Sequence, residues 1–393
     1  MPSVRPCARA ALVAATLACN PQSSDPLPPE PLPDSGPWAP ASLASAGAAR
    51  CVVSRPTELG ATLTLRGEPS DVRVAAGPRG ALVAWMQPHP TKAIGRLVAM
   101  RALDRQGRPT GVVQTIQPPI AGVLRDVAAD DHGFYILVQA PDQPRANHAI
   151  AVRQGGAAIG EFVEVTDTGG LAPVSHGPAR GPAAAVLYGP TVAGRDSVWV
   201  ELSRDQAGAV TVRPQQIPQW RGVVNADHAR TWVGGAGPHA LVLAAGASLE
   251  VLSAGTLRTA AAGLPGEPAL GLDARWRGED IDLVWAAAAE GGPALRRALL
   301  RADGALVVDP PGLAAFTEAV ALAWSYPPLV GTRRSFAGRD LVGEPIDLTA
   351  ADPELAGDLQ GSGWAWTGES FVIGYSARTP GGITARTVRA TCR

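Results

Sequence analysis

Lysine is nearly missing from this chain. Of 34 basic residues only Lys92 is not arginine, and 35 acidic residues bring the formal net charge to −1. That balance gives no sign of the polybasic surface a nucleic acid or an anionic membrane would attract, and neither partner is expected. Aromatic residues are scarce at 5%, so the 46% hydrophobic fraction is mostly Ala, Val and Leu. Long amphipathic helical patterns are absent; the best stretch, Ala286–Leu300, is interrupted by Gly291-Gly292-Pro293. Reaction signatures are missing too. The six histidines (89, 132, 148, 176, 228, 239) form no His-x-x-x-His or His-Glu-x-x-His pair, and no Cys-x-x-Cys occurs. No Gly-x-Ser-x-Gly elbow occurs, and the glycine clusters lack the lysine and the strand–loop–helix setting of a phosphate cradle. The expectation is therefore no metal, no cofactor and no catalytic residue.

Cysteine is also sparse, and its four positions are informative: 7, 19, 51 and 392. Arg5 and Arg9 precede an apolar run, Ala10–Ala18, that is far too short to cross a bilayer. Residues 1–19 read as an export signal that takes Cys7 with it. Thr16-Leu17-Ala18-Cys19 resembles the lipobox of bacterial lipoproteins, with Thr16 where that pattern usually has Leu. The resemblance implies a lipid on Cys19 and attachment of the exported protein to a bacterial envelope membrane through that lipid alone. Between Pro21 and Pro40, eight of twenty residues are proline. Residues 20–49 are accordingly read as an extended spacer holding the folded domain, residues 50–393, off its anchor.

From residue 70 onward a pattern repeats. A strand-like stretch, a small turn and an apolar run ending in or near an aromatic recur, most clearly as Asp71–Gly77, Pro78-Arg79-Gly80 and Ala81–Trp85. Comparable runs end at 139, 188, 244, 285, 324 and 375, in steps of 54, 49, 56, 41, 39 and 51 residues. A period near fifty is that of propeller blades. Gly-rich hairpin loops follow three of the runs, at Leu103–Gly107, Arg204–Gly208 and Arg301–Gly304. With a strand candidate on either side of each loop, one unit has four strands. The fold expected is all-β: a β-propeller of seven four-stranded blades.

The last unit supplies three strands, Gly363–Thr367, Phe371–Tyr375 and Ile383–Thr391, and lacks a fourth. Arg50–Val53, or the later Ala61–Leu65, is expected to complete it. The first option sets Cys51 beside Cys392, so that a Cys51–Cys392 disulfide locks the ring, worth on the order of 5 kcal/mol in the chain-entropy account. The layout from Cys19 through the proline spacer to Cys392 resembles secreted bacterial β-propeller lipoproteins. Neither the Gly-His…Trp-Asp signature of WD40 blades nor the Ser-x-Asp-x-Gly-x-Thr-Trp box of sialidase-like propellers is present.

Several residues stand out as binding candidates. Asp131-His132 and Asp227-His228 are acid–imidazole neighbours, and Glu279-Asp280 opens an acidic cluster without Ca²⁺-loop spacing. Trp364 and Trp366 alternate on one strand and share a face, and Trp220 lies in a loop-like context. Trp85, Trp285 and Trp324 occupy one phase of the repeat and read as packing residues. Two functions fit. The first is a monomeric, non-catalytic recognition or scaffolding protein whose loops hold an envelope protein partner. The second binds or cleaves a glycan, with Asp130, Asp131, Glu279 and Asp280 gathered near the channel.

Overall fold

A strand that is apolar at successive rather than alternate positions needs cover on both faces of its sheet. Ala81–Met86 and Phe134–Val138 are two such runs, and every residue in them is buried. The computed structural model describes residues 51–60, 72–91, 95–120, 122–139, 147–166, 171–172, 184–187, 197–217, 229–233, 240–245, 248–253, 256–262, 268–277, 279–287, 294–308, 321–323, 329–331, 335–337, 346–347, 352–354, 363–367, 369–380 and 382–392. Among the described residues every regular element of two or more residues is a β-strand.

The chain enters through β1 (Cys51–Val53) and β2 (Thr57–Glu58). The first sheet comprises β3 (Val72–Gly77), β4 (Gly80–Pro88), β5 (Arg96–Leu103) and β6 (Pro109–Ile116). The second comprises β7 (Val123–Ala129), β8 (Gly133–Gln139), β9 (Asn147–Arg153) and β10 (Ala158–Thr166). The third holds β11 (Leu171–Ala172), β12 (Ala184–Leu187), β13 (Ser197–Arg204) and β14 (Val210–Ile217). The fourth holds β15 (Ala229–Val233), β16 (Ala240–Ala245), β17 (Ser248–Ser253) and β18 (Thr256–Ala262). The fifth is β19 (Pro268–Arg277), β20 (Asp280–Ala287), β21 (Ala294–Leu300) and β22 (Leu306–Val308). The sixth is β23 (Ala321–Ala323), β24 (Leu329–Gly331), β25 (Ser335–Ala337) and β26 (Ile346–Asp347). The seventh contains β27 (Gly363–Trp366), β28 (Phe371–Thr379) and β29 (Gly382–Cys392), with β1 paired on the outer side of β29 and β2 further along it. Each sheet is an antiparallel meander of sequence neighbours, the N-terminal strands of the seventh excepted.

Alternate side chains of a strand point to opposite faces, so each face can serve a different neighbour. On one face of the first sheet, Leu82, Ala84, Met86 and Met100 pack with Phe134, Ile136 and Val138 of the second. On the other face Val74, Val83 and Trp85 meet Ala365, Val372 and Ala385 of the seventh. The second sheet likewise turns Tyr135, Leu137 and Ala151 toward Leu202 and Val210 of the third. Further along, β15 contacts β19, β19 contacts β23, and β23 contacts β27.

The third and fourth strands of a sheet are joined by one recurrent hairpin turn. It spans Asp104–Gly107, Arg153–Gly156, Asp205–Gly208 and Arg301–Gly304, and in each the glycine N–H donates to the carbonyl of the first residue. The four glycines have φ of +71°, +88°, +85° and +89°, the left-handed position that closes such a turn and that a Cβ would strain. Three of these turns sit where the sequence placed hairpin loops; the turn at Arg153–Gly156 begins on arginine and lacks the acidic signal. Three of these glycines lie against a neighbouring sheet. Gly107 lies against Val372, Gly156 against Leu82 and Ala102, and Gly208 against Ile159.

The entering segment spans the joint between the seventh and first sheets. Leu59 is fully buried, in a cluster shared by both sheets. Its N–H donates to the Ala385 carbonyl at 2.9 Å, and its carbonyl accepts from Arg101 of the first sheet at 2.8 Å. In β1 the register sets Cys51 opposite Cys392, Val52 opposite Thr391 and Val53 opposite Ala390. One step on, the Ser54 N–H donates to the Arg389 carbonyl at 2.8 Å. Antiparallel pairs alternate between hydrogen-bonded and open, so Cys51–Cys392 is an open pair, the kind whose Cα atoms approach to about 4.5 Å.

The strand expected from Arg50–Val53 is thus β1, and the three strands expected in the last unit coincide with β27–β29. Ala61–Leu65 and residues 1–50 lie outside the described residues. One expectation fails. The run ending at Trp324 does not share the phase of Trp85, because Ala321–Ala323 is the first strand of its sheet and Leu329–Gly331 the second. First and second strands here are equally rich in Ala, Leu and Val, so a terminal tryptophan does not distinguish them.

Candidate functional site

The turn after β7 and the end of β13 face each other across the joint between the second and third sheets. Asp130, 2% exposed, closes the first of these turns. Its Oδ1 accepts from the His132 and Gly133 N–H groups at 2.9 and 2.6 Å. Its Oδ2 accepts from the Tyr135 hydroxyl at 2.7 Å and from Arg204 Nε at 2.8 Å. The Arg204 guanidinium reaches on to the Phe134 carbonyl at 3.0 Å and the Val152 carbonyl at 3.2 Å, and lies 4.7 Å from the Tyr135 ring centroid. Residue 133 must be small for this to assemble. A Cβ there would stand 2.2 Å from the Val152 carbonyl oxygen and 3.0 Å from Arg204 Nη2.

Burial works to raise the proton affinity of the Asp130 carboxyl, but the hydrogen bonds from Arg204 and Tyr135, the Arg204 charge and the His132 amide outweigh it and hold the pKa below the usual carboxylate value. The Tyr135 hydroxyl is pushed well above its ordinary pKa by burial and by the Asp130 charge. Asp130 is therefore a fixed anion and Tyr135 a fixed neutral donor, and the pair with Arg204 is a joint between sheets.

The same chemistry recurs at the seventh sheet. Tyr375 donates to Asp352 Oδ2 at 2.8 Å, and Arg386 Nη1 meets both Asp352 oxygens at 3.1 Å. Arg386 also pairs with Glu58 at 2.9 Å and Glu354 at 2.7 Å, tying the entering segment to the sheet. Burial works to lower the Arg386 pKa, and these three carboxylates more than reverse it.

A cleft of about 580 Å³ opens beside the Asp130–Arg204 pair. Its inner wall includes Tyr135, Ile159 and Arg204, and its rim Asp131, His132, Arg153, Asp205 and Gln206. All five rim residues are exposed or half-exposed. At the joint of the seventh and first sheets the facing turns touch directly, Thr367 Oγ1 donating to the Arg105 carbonyl at 2.5 Å. Between the second and third sheets Arg204 bridges the turns from below, and the space above it is the cleft.

Two sequence candidates, Asp131 and His132, stand on this rim. Glu279 and Asp280 lie at the β19–β20 turn of the fifth sheet, where Asp280 Oδ1 accepts from the Ala302 N–H at 3.0 Å, and neither lines the cleft. Trp364 and Trp366 are in β27, opposite Ile373 and Phe371. Trp220, the Asp227–His228 pair and Cys19 are outside the described residues. Trp85, 2% exposed, is a core residue as its phase implied. Arg204 and Tyr135 were legible only as a turn residue and a strand residue, because 74 positions separate Arg204 from Asp130.

No protein-family model and no curated protein matches the chain. Several solved structures resemble it distantly. Phage phi92 endosialidase aligns at 10% identity with a TM-score of 0.42, covering 86% of this chain and 68% of that one. The β-propeller domain of Myceliophthora thermophila Cps50 (Swd1) aligns at 12% identity and TM-score 0.46, covering 84% and 99%. The six-bladed β-propeller lectin of Aleuria aurantia, described with a fucose recognition mode, aligns at 9% identity and TM-score 0.35, covering 83% and 93%.

Proposed function

We propose that this chain is an exported, lipid-anchored, seven-bladed β-propeller that serves as a non-catalytic recognition module, holding another envelope component at its hairpin-turn rim. Three features support the ring: the succession of four-stranded meanders, the packing of the seventh sheet on the first, and the entering strand beside β29. The open cross-strand pair at Cys51–Cys392 suits a disulfide, whose Cα atoms stand about 4.4–6.8 Å apart. Cys19 and the proline-rich residues 20–49 would supply anchor and spacer.

The observation that carries the non-catalytic reading is the commitment of Asp130. A general acid needs a raised pKa and a general base an open lone pair near substrate. Asp130 has a lowered pKa and its oxygens are occupied by Arg204, Tyr135 and two backbone amides. Glu279 and Asp280 stand at the β19–β20 turn of the fifth sheet and do not line the cleft beside Asp130, so these acids are not gathered at one place.

The test places a photo-crosslinking residue at Gln206 on the rim and, separately, at Val112, which is 71% exposed on the outer strand β6. A discrete adduct from intact envelope at Gln206 and none at Val112 is expected. Equal adducts at both positions, no adduct at Gln206, or turnover of the captured molecule would overturn the reading.

A further inference from the structure

We infer that the cleft between the second and third sheets is a binding site for a neutral saccharide, the envelope component that the recognition reading leaves unspecified; the inference rests on that reading and names its ligand. The volume is within the range of small-ligand sites. Such sites are usually apolar with a few polar groups, whereas this rim is polar almost throughout.

The rim mixes signs over a short distance. Asp131 and Asp205 are acceptors, Arg153 is a donor, and Gln206 and His132 can act as either. A polyanion entering the cleft would meet two aspartates, and a polycation would meet Arg153 above the buried Arg204. A ligand of one sign is therefore disfavoured on either side. A sugar hydroxyl donates and accepts at one atom, and adjacent hydroxyls match carboxylate, amide and guanidinium edges set side by side. Ile159 and Ala207, also in the lining, offer apolar surface for the C–H face of a pyranose ring.

The site is also built on a fixed base. Arg204, with 8% of its side chain exposed, is held by Asp130 and two backbone carbonyls, so the floor does not move when the rim is filled. Preorganisation of this kind lowers the ordering cost of binding. The positions that would discriminate among sugars are on the two turns, Asp131-His132 and Asp205-Gln206-Ala207. Both turns are set by local hydrogen bonds, the His132 N–H donating to Asp130 Oδ1 and the Ala209 N–H donating to Asp205 Oδ1 at 2.8 Å.

The experiment applies the full exported protein to an array of neutral and acidic oligosaccharides, then titrates the best neutral one by calorimetry. Three variants follow: Gln206→Ala, Arg153→Ala and, as a control in the corresponding turn of the first sheet, Gln106→Ala. A neutral oligosaccharide should bind saturably, at least tenfold more weakly in the first two variants and unchanged in the third. Absence of binding by any neutral saccharide, stronger binding of acidic ones, or affinity unmoved by the rim variants would overturn the inference. A protein adduct at Gln206 without saccharide binding would leave the recognition reading standing and remove this one. Neither adduct nor saccharide would remove both.

Discussion

Replacing Asp130 by alanine should be among the most damaging single changes in the second and third sheets. The carboxylate is 2% exposed and satisfies five donors: two amides, the Tyr135 hydroxyl and two nitrogens of Arg204. Its loss leaves a guanidinium, with 8% of its side chain exposed, without a counter-charge. Breaking one side of a buried pair typically costs about 3–5 kcal/mol. Removing both charges should cost far less, since a well-packed apolar replacement is often nearly neutral. Equilibrium urea unfolding of Asp130→Ala, Arg204→Met and the double variant Asp130→Ala/Arg204→Met measures this directly. The reasoning fails if Asp130→Ala loses less than about 1 kcal/mol, or if the double variant is as unstable as the two singles combined. The pH dependence has a definite sign. The folded pKa of Asp130 lies below its unfolded value, so its contribution is complete above the unfolded pKa of about 3.9 and is lost as pH falls through the folded one. The deficit of Asp130→Asn relative to the parent should accordingly shrink on acidification below that range, and a deficit that grew there would contradict the assignment.

Three other substitutions probe the packing. Leu59→Ala empties a fully buried site between the seventh and first sheets and should cost about 2–5 kcal/mol, read from the urea midpoint. Gly80→Ala should be severe, because its φ is +149° and a Cβ would fall 2.0 Å from the Leu103 carbonyl oxygen. Gly111→Ala, at φ +69° with open space around the added carbon, should cost only the backbone term of about 1–2 kcal/mol. A Gly80 variant as stable as the Gly111 variant would show that close approach is not what fixes glycine there.

Much of the fold is written locally. Runs such as Ala81–Trp85 and Phe371–Tyr375 announce strands covered on both faces, and a glycine four residues into a turn announces the hairpin after them. A missing fourth strand in the last sheet was legible because that unit is short, and Arg50–Val53 was one of two segments that could supply it; the β1–β29 register selects it. What stayed hidden depends on which sheets touch. Asp130 reads as one of several acids near a turn, and only the adjacency of the second and third sheets makes it the partner of Arg204. The cleft is a property of that same adjacency; Asp131-His132 could be singled out from the sequence, whereas Arg153 and Gln206 could not. The phase error at Trp324 has the opposite origin: a local pattern that two neighbouring strands satisfy equally well.

The central proposal is a closed ring locked by a covalent link between the entering strand and the last one, and peptide mapping of the unreduced protein tests that link most directly. If the proposed disulfide closes the open pair of β1 and β29, a single linked peptide pair containing Cys51 and Cys392 is expected. Reduction should then lower the unfolding midpoint by an amount consistent with on the order of 5 kcal/mol for a loop that spans almost the whole domain. Recovery of Cys51 and Cys392 as free thiols from the exported protein, or of either bonded to another cysteine, would contradict it.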